Sequence, residues 1–222
     1  MTPPKARFLG VLFVMLSTHF VPVYLIAQTI EQFAASRTGK YTAYVVEETG
    51  ENKEHRQQVW LRIRGEKDRL LLSADQLKKI CYAYASTVSD LSWSPSERFL
   101  SVGVYDGDVG IDTAVFDLRS NSYVVPRVEE GYKYNSQWHP SKDLLFFQAG
   151  DDPSGKDPTI YRYDPTSQRK NKTRVAREVQ IVEVEEYQPV MDGLVVRVTL
   201  RDPQKLSKYH KELIFVPYSA FK

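Results

Sequence analysis

The stretch that decides the fold is DLSWSPSERFLSVGVYDGDVGIDTAVFDLRSNS, Asp90–Ser122, read together with NSQWHPSKDLLFFQAGDDPSGKDPTIYRYDPTS, Asn135–Ser167. The two match without a gap at a period of 45. Trp93 falls on Trp138, Pro95 on Pro140, Ser96 on Ser141 and Leu100 on Leu145. Val115 then falls on Ile160 and Phe116 on Tyr161. A self-similar period of about 45 residues belongs to architectures in which one small sheet is built repeatedly around an axis.

Each unit divides into strands and turns. Leu91–Trp93 is short and apolar, Ser94–Glu97 is a turn with Pro95 at its favoured second position, and Phe99–Tyr105 is a second strand. Asp106–Asp112 is a polar connection, Thr113–Leu118 a third strand, Arg119–Asn121 a turn and Ser122–Val125 a fourth strand. The second unit supplies Ser136–Trp138, Leu144–Ala149, a loop over Gly150–Pro158 and Thr159–Tyr163. Short strands separated by turn signals predict an all-β, β-propeller-like fold. A weaker copy starts at Arg37, with Gly39-Lys40-Tyr41 at the turn and Val59–Ile63 as third strand. Val179–Val184, Leu194–Leu200 and Glu212–Val216 alternate as strands do but carry no Trp-x-Pro. Residues 30–222 hold a little over four units. Two closures follow: about four blades with the C-terminal strand completing the first, or an incomplete ring closed by a partner or a second copy. Gln76–Tyr84 is expected as a short helix or an irregular link, and Arg169–Arg177 as a basic loop.

Trp93-Ser94-Pro95 with Val115-Phe116-Asp117-Leu118, and Trp138-His139-Pro140 with Ile160-Tyr161-Arg162-Tyr163, resemble the TolB-type propeller repeat, a relative of the Trp-Asp repeats. Its Asp-Gly is replaced here by Ser96-Glu97 and Ser141-Lys142, and the close resemblance covers about a third of the chain. It implies a periplasmic protein that binds partners through its propeller. The rest of TolB has no counterpart, so the resemblance does not extend to a Tol-system role.

The chain has 222 residues, with 30 Lys and Arg against 28 Asp and Glu. Two of those bases, Lys5 and Arg7, precede the uncharged segment Phe8–Ala27, leaving the remainder balanced. A balanced body argues against a polyanionic partner such as nucleic acid. A basic start followed by an apolar run is an export signal. Residues 1–29 are therefore expected as a signal peptide or a signal-anchor transmembrane helix, and residues 30–222 as a propeller-like domain outside the cytoplasm. Twenty apolar residues suit a span, while Ser17, Thr18, His19 and Pro22 dilute its second half and leave cleavage open. One cysteine, Cys81, excludes an internal disulfide framework.

The candidate residues are structural ones. Trp93, Pro95, Trp138 and Pro140 are expected as the repeated elements of blade packing, because a large ring at the same point of each unit supplies apolar area. Asp106, Asp108 and Asp112, and Asp151, Asp152 and Asp157 in the aligned loop, fail the calcium-loop pattern and read as hairpin connections. His19, His55, His139 and His210 show no metal spacing, and His139 reads as a surface-turn residue. Glu183, Glu185 and Glu186 read as a solvated strand face. Arg169, Lys170, Lys172, Arg174 and Arg177 read as a soluble linker, with Asn171 in a glycosylation sequon. No Gly-x-Ser-x-Gly elbow or phosphate loop occurs. No catalytic residue, metal or cofactor is assigned. The expected role is a non-catalytic extracytoplasmic scaffold, an accessory subunit of a membrane complex, that offers loops or an open sheet edge to an envelope protein. The alternative is an exported hydrolase acting on glycans in a propeller pocket.

Overall fold

The computed structural model describes residues 29–49, 55–81, 87–105, 107, 111–128, 132–150, 159–175, 181–201 and 209–222. The expected N-terminal helix over Phe8–Ala27 lies outside the described residues. No helix among the described residues is long and apolar enough to cross a membrane.

Among the described residues, fifteen strands form four antiparallel sheets. The first contains β1 (Thr29–Ala35), β2 (Tyr41–Thr49), β3 (His55–Ile63) and β4 (Arg69–Leu72). The second contains β5 (Thr87–Trp93), β6 (Phe99–Tyr105), β7 (Ile111–Asp117) and β8 (Ser122–Val124). The third contains β9 (Tyr132–Trp138), β10 (Leu145–Gly150), β11 (Thr159–Asp164) and β12 (Arg169–Arg174). The fourth has three strands, β13 (Ile181–Pro189), β14 (Gly193–Arg201) and β15 (Tyr209–Pro217). Within each sheet every strand pairs with its neighbours in sequence. The helix α1 (Ala74–Cys81) links the first two sheets, capped at Ser73, whose backbone N–H donates to Gln76 Oε1 (2.8 Å). It buries Leu77, Ile80 and Cys81 in the first core cluster.

The sheets stack face to face in chain order. The first core cluster joins Ala43, Val45, Val59 and Leu61 of the first sheet to Leu100, Val102, Val104, Ala114 and Phe116 of the second. A second joins Phe99 and Val115 of the second sheet to Leu145, Phe147, Ala149, Tyr161 and Tyr163 of the third. A third joins Phe146 and Ile160 to Leu194, Val196, Val198, Ile214 and Val216. Each inner sheet thus turns a near face to the preceding sheet and a far face to the next, while the first uses only its far face and the fourth only its near face. Strand alternation sends successive residues to opposite faces, which is why Leu100 and Phe99 belong to different clusters.

Three expectations are corrected. The C-terminal strand does not complete the first blade: β15 pairs with β14 along its whole length, while the first sheet is built from β1–β4 alone. The β14–β15 register is continuous from Gly193↔Pro217 to Arg201↔Tyr209, and that continuity spends one edge of β15 locally. Arg169–Arg174 is a strand, β12, paired with β11, not a loop. The ungapped alignment slips inside the unit. Leu100 pairs with Phe116 and Leu145 with Tyr163, so Phe116 corresponds to Tyr163, and Asp117 to Asp164. The loop before β11 is longer than the one before β7, and this shifts the third strand. The turns confirm the new frame: Asp117 Oδ1 accepts from the N–H of Arg119 (2.9 Å), and Asp164 Oδ1 from that of Thr166 (2.9 Å). Asn121 and Gln168 then take matching left-handed φ values of 52° and 55°.

Candidate functional site

The repeated Trp and Pro residues meet at one rim of the stack, where the first strand of each sheet turns into the second. Three turns are closed by the same backbone bond. The N–H of Ser36 donates to Tyr41 O (2.8 Å), Ser94 to Phe99 O (2.9 Å) and His139 to Leu144 O (2.8 Å). Just before those residues stand Ala35, Trp93 and Trp138.

Trp93 and Trp138 have like surroundings. Trp93 donates its indole N–H to Ala34 O in the first sheet (2.8 Å), and Trp138 donates to Ser92 O in the second (3.0 Å). Ala34 and Ser92 are themselves corresponding positions, two before Ser36 and Ser94. Trp93 stacks on Tyr41 (centroids 5.7 Å apart) and Trp138 on Phe99 (6.5 Å), again corresponding residues. Each ring therefore fastens its sheet to the one before. Both tryptophans, with Pro95, Pro140, Arg37 and His139, line an open groove of about 430 Å³ along the rim.

The turns are also linked side to side. Glu97 accepts from the Thr38 N–H (2.5 Å) and hydroxyl (2.6 Å), joining the first and second turns. Asp143 accepts from the Ser96 N–H (3.1 Å) and hydroxyl (2.5 Å), joining the second and third. His139 faces Met191 O (3.4 Å), joining the third and fourth. His139 is fully buried, not a surface-turn residue. Its Nδ1 accepts from the backbone N–H groups of Ser141 (3.0 Å) and Lys142 (3.1 Å), which assigns the remaining proton to Nε2. Burial holds its imidazole below the usual histidine range.

In the fourth sheet Pro189 occupies the tryptophan position, paired with Leu194 as Trp138 pairs with Leu145. Its junction is closed instead by the C-terminal turn Tyr218–Ala220. Tyr218 stacks on Phe146 (5.3 Å), lies 5.4 Å from the His139 ring and donates its hydroxyl to Val190 O (2.6 Å). Sequence reasoning missed Tyr218, because the ring is supplied from outside the repeat.

Buried polar groups join the second and third sheets farther from this rim. Lys133 of β9 is fully buried and bonds to Asp112 of β7, with Arg127 3.5 Å from the same carboxylate. Burial pushes the Lys133 ammonium down, against the pull of Asp112. Asp112 is thus engaged by cations within the protein. Asp106, Asp108, Asp151, Asp152 and Asp157 lie outside the described residues, and among the described residues no cluster of His, Cys, Asp and Glu is arranged for a metal. Asp90 of β5 bonds to Ser89 (3.1 Å), and burial pushes its carboxyl up. A Cβ on Gly103 would stand 1.8 Å from that carboxylate, so the strand pair leaves room for Asp90 only beside glycine.

The remaining candidates are dispersed. Glu185 pairs with Lys211 (2.7 Å) and Glu186 with Arg197 (2.9 Å) on the far face of the fourth sheet. Glu183 lies in β13 of the same sheet. Arg169, Lys170, Lys172 and Arg174 belong to β12. Lys170 and Lys172 line an open pocket of about 460 Å³ with Arg127, Tyr161 and Lys222. Asn171 accepts from Arg162 (3.4 Å). His55 lies in β3 and His210, exposed, in β15. Arg177 and His19 lie outside the described residues.

No family model matches the sequence, and no curated protein matches it. Solved structures do. The β-propeller domain of the Trilobed protease from Pyrococcus furiosus, described as having an open velcro topology, is similar with a TM-score of 0.53 at 13% identity. The match covers 86% of this chain and 58% of that one. The tricorn protease is similar with a TM-score of 0.51 at 11% identity, over 82% of this chain and 22% of that one. TolB from Acinetobacter baumannii gives a TM-score of 0.47 at 14% identity, over 86% and 44%. The chain therefore spans under two thirds of the length of each. The likeness is one of fold: the four sheets follow one another as the blades of a propeller domain do.

Proposed function

We propose that the chain is a non-catalytic scaffold outside the cytoplasm, held at the membrane through Phe8–Ala27, that recruits a protein of a cell-envelope complex along the open edge of β15. The first three sheets each carry a fourth strand on the outer edge of the third; the fourth sheet, among the described residues, does not. This open edge carries the proposal. The Tyr218 N–H donates to Asp192 O (3.1 Å), which makes the even-numbered residues of β15 the pair-forming ones. The backbone groups of Lys211, Leu213 and Phe215 then point away from the sheet. Pro217, which has no N–H to offer, falls in the same outward set, where proline is tolerated. An exposed nine-residue edge is a template for an extended segment of another chain.

The glycan-hydrolase alternative requires two carboxyl groups about 5–10 Å apart. Glu185 and Glu186 spend theirs on Lys211 and Arg197, which supports the scaffold reading. The test is affinity purification of the full chain from detergent-solubilised membranes, with identification of its N-terminus and of what accompanies it. Lys211→Pro removes an outward N–H, and Lys211→Ala removes only the side chain. The expected result is an accompanying envelope protein retained by Lys211→Ala and lost with Lys211→Pro at unchanged thermal stability. Retention by both variants overturns the edge reading.

A further inference from the structure

In a stack of four sheets, three junctions consume three far faces and three near faces. Among the described residues, one near face, on the first sheet, and one far face, on the fourth, have no sheet packed on them. The exposed large apolar side chains concentrate there. Of the eight among the described residues, Ile30, Phe33 and Leu70 lie on the near face of the first sheet, and Tyr209, Leu213 and Phe215 on the far face of the fourth. Phe33 is 74% exposed and Leu213 61%. Contiguous exposed apolar surface marks an interaction site.

The internal junctions say what fits these faces. Two residues before the Trp position stand Phe33, Leu91, Ser136 and Tyr187 in the four sheets. On the third strand, opposite Val45, Gly103, Gln148 and Arg197, stand Val59, Thr113, Ile160 and Leu213. At every internal junction the two sets face the same interior, touching directly at the second. Val59 and Leu91 share one core cluster, the hydroxyls of Thr113 and Ser136 are 2.7 Å apart, and Ile160 and Tyr187 share another cluster. The two members left over are Leu213 and Phe33. Beside Leu213 is a hollow of about 400 Å³, lined by Glu186, Gln188, Val195 and Arg197 and reaching Gln137 of the third sheet at its edge. The propeller domain that the chain resembles extends well beyond it, since 86% of the chain covers 58% of that domain. The four sheets therefore follow part of a ring.

We infer that a second copy of this chain completes the ring, the first sheet of each copy seated on the fourth sheet of the other, with Phe33 against Leu213. Each junction pairs two different faces, and two copies related by a two-fold axis close both junctions with eight sheets, within the range propellers adopt. This closure uses the sheet faces and leaves the outer edge of β15 free, so it stands or falls separately from the edge proposal.

Cysteine cross-linking of the full chain tests it. Cys81, the native thiol, is buried in the core. Phe33→Cys and Leu213→Cys are made singly and together, and membranes or detergent extracts are treated with a mild oxidant or a short bismaleimide. The expected result is a covalent dimer when the two single variants are mixed, none from either alone, and a covalent dimer as the largest product of the double variant. Dimer from one single variant alone means a face-to-itself contact and overturns the inference. A ladder from the double variant overturns closure by two copies. An intrachain bond at monomer mass, or no cross-link in any sample, overturns the second copy altogether. Both substitutions are at exposed positions, and an unchanged melting temperature confirms that each variant folds.

Discussion

His139 shows how one side chain acquires a role from its position in a turn. The corresponding residue in the second sheet is Ser94, whose hydroxyl accepts from the Phe99 N–H (3.2 Å). In the third sheet the imidazole does similar work, taking two backbone N–H groups on Nδ1. Protonation of that nitrogen removes the acceptor, and burial opposes the charge. The folded pKa thus lies below the unfolded value of about 6.5, and the unfolded chain binds the proton more readily. Stability is fully present above about pH 6.5 and is lost as pH falls through that value toward the folded pKa. A melting temperature that declines between pH 7.5 and 5.5, with the decline flattened in His139→Ser, is the expected outcome; an equal decline in both proteins removes the assignment.

Between elements, the same indole seam recurs. Trp138 covers Phe99 and bonds to the backbone of β5, and Trp93 does the same one junction earlier. Trp138→Ala is expected to destabilise by ~3–5 kcal/mol, measured by urea unfolding, as an aromatic truncated in a packed seam does. A loss below about 1 kcal/mol would mean that the groove-facing surface of the ring, not the seam, is its purpose. The sequence made this seam visible because Trp and Pro recur at fixed spacing, and because turns announce themselves through Ser-Pro and Asp residues. The third-strand register at Ile160 and Tyr161 is not legible in the sequence, since alternation looks the same after a slip of two. Strand β12 was missed because Arg-Lys-Asn-Lys-Thr-Arg has no apolar face; it forms by backbone pairing with β11. Polarity alone places His139 at the surface, because it carries no information about the Tyr218 ring packed 5.4 Å from it.

At the scale of the whole molecule, four sheets were legible and their closure was not. Counting units gives a little over four, and that count is compatible with a ring of four or with part of a larger one. Only the placement of Phe33 and Leu213 on opposite ends of the stack separates these cases. If two copies close the ring, folding is linked to association, and the melting temperature of the wild type rises with protein concentration. Phe33→Glu, a change at an exposed position, is expected to abolish that dependence while leaving the dilute-limit melting temperature in place. A wild type with no concentration dependence speaks against association.

The three tryptophans sit on three different surfaces, and this has a practical consequence. Trp93 reports on the first junction, Trp138 on the second, and Trp60, which donates its N–H to Gln58 Oε1 (2.9 Å), lies on the first sheet's uncovered side. Intrinsic fluorescence is thus already spatially resolved in this protein. Phenylalanine replacements taken two at a time leave a single emitter at a known location, so successive detachment of sheets can be followed optically, without any added dye.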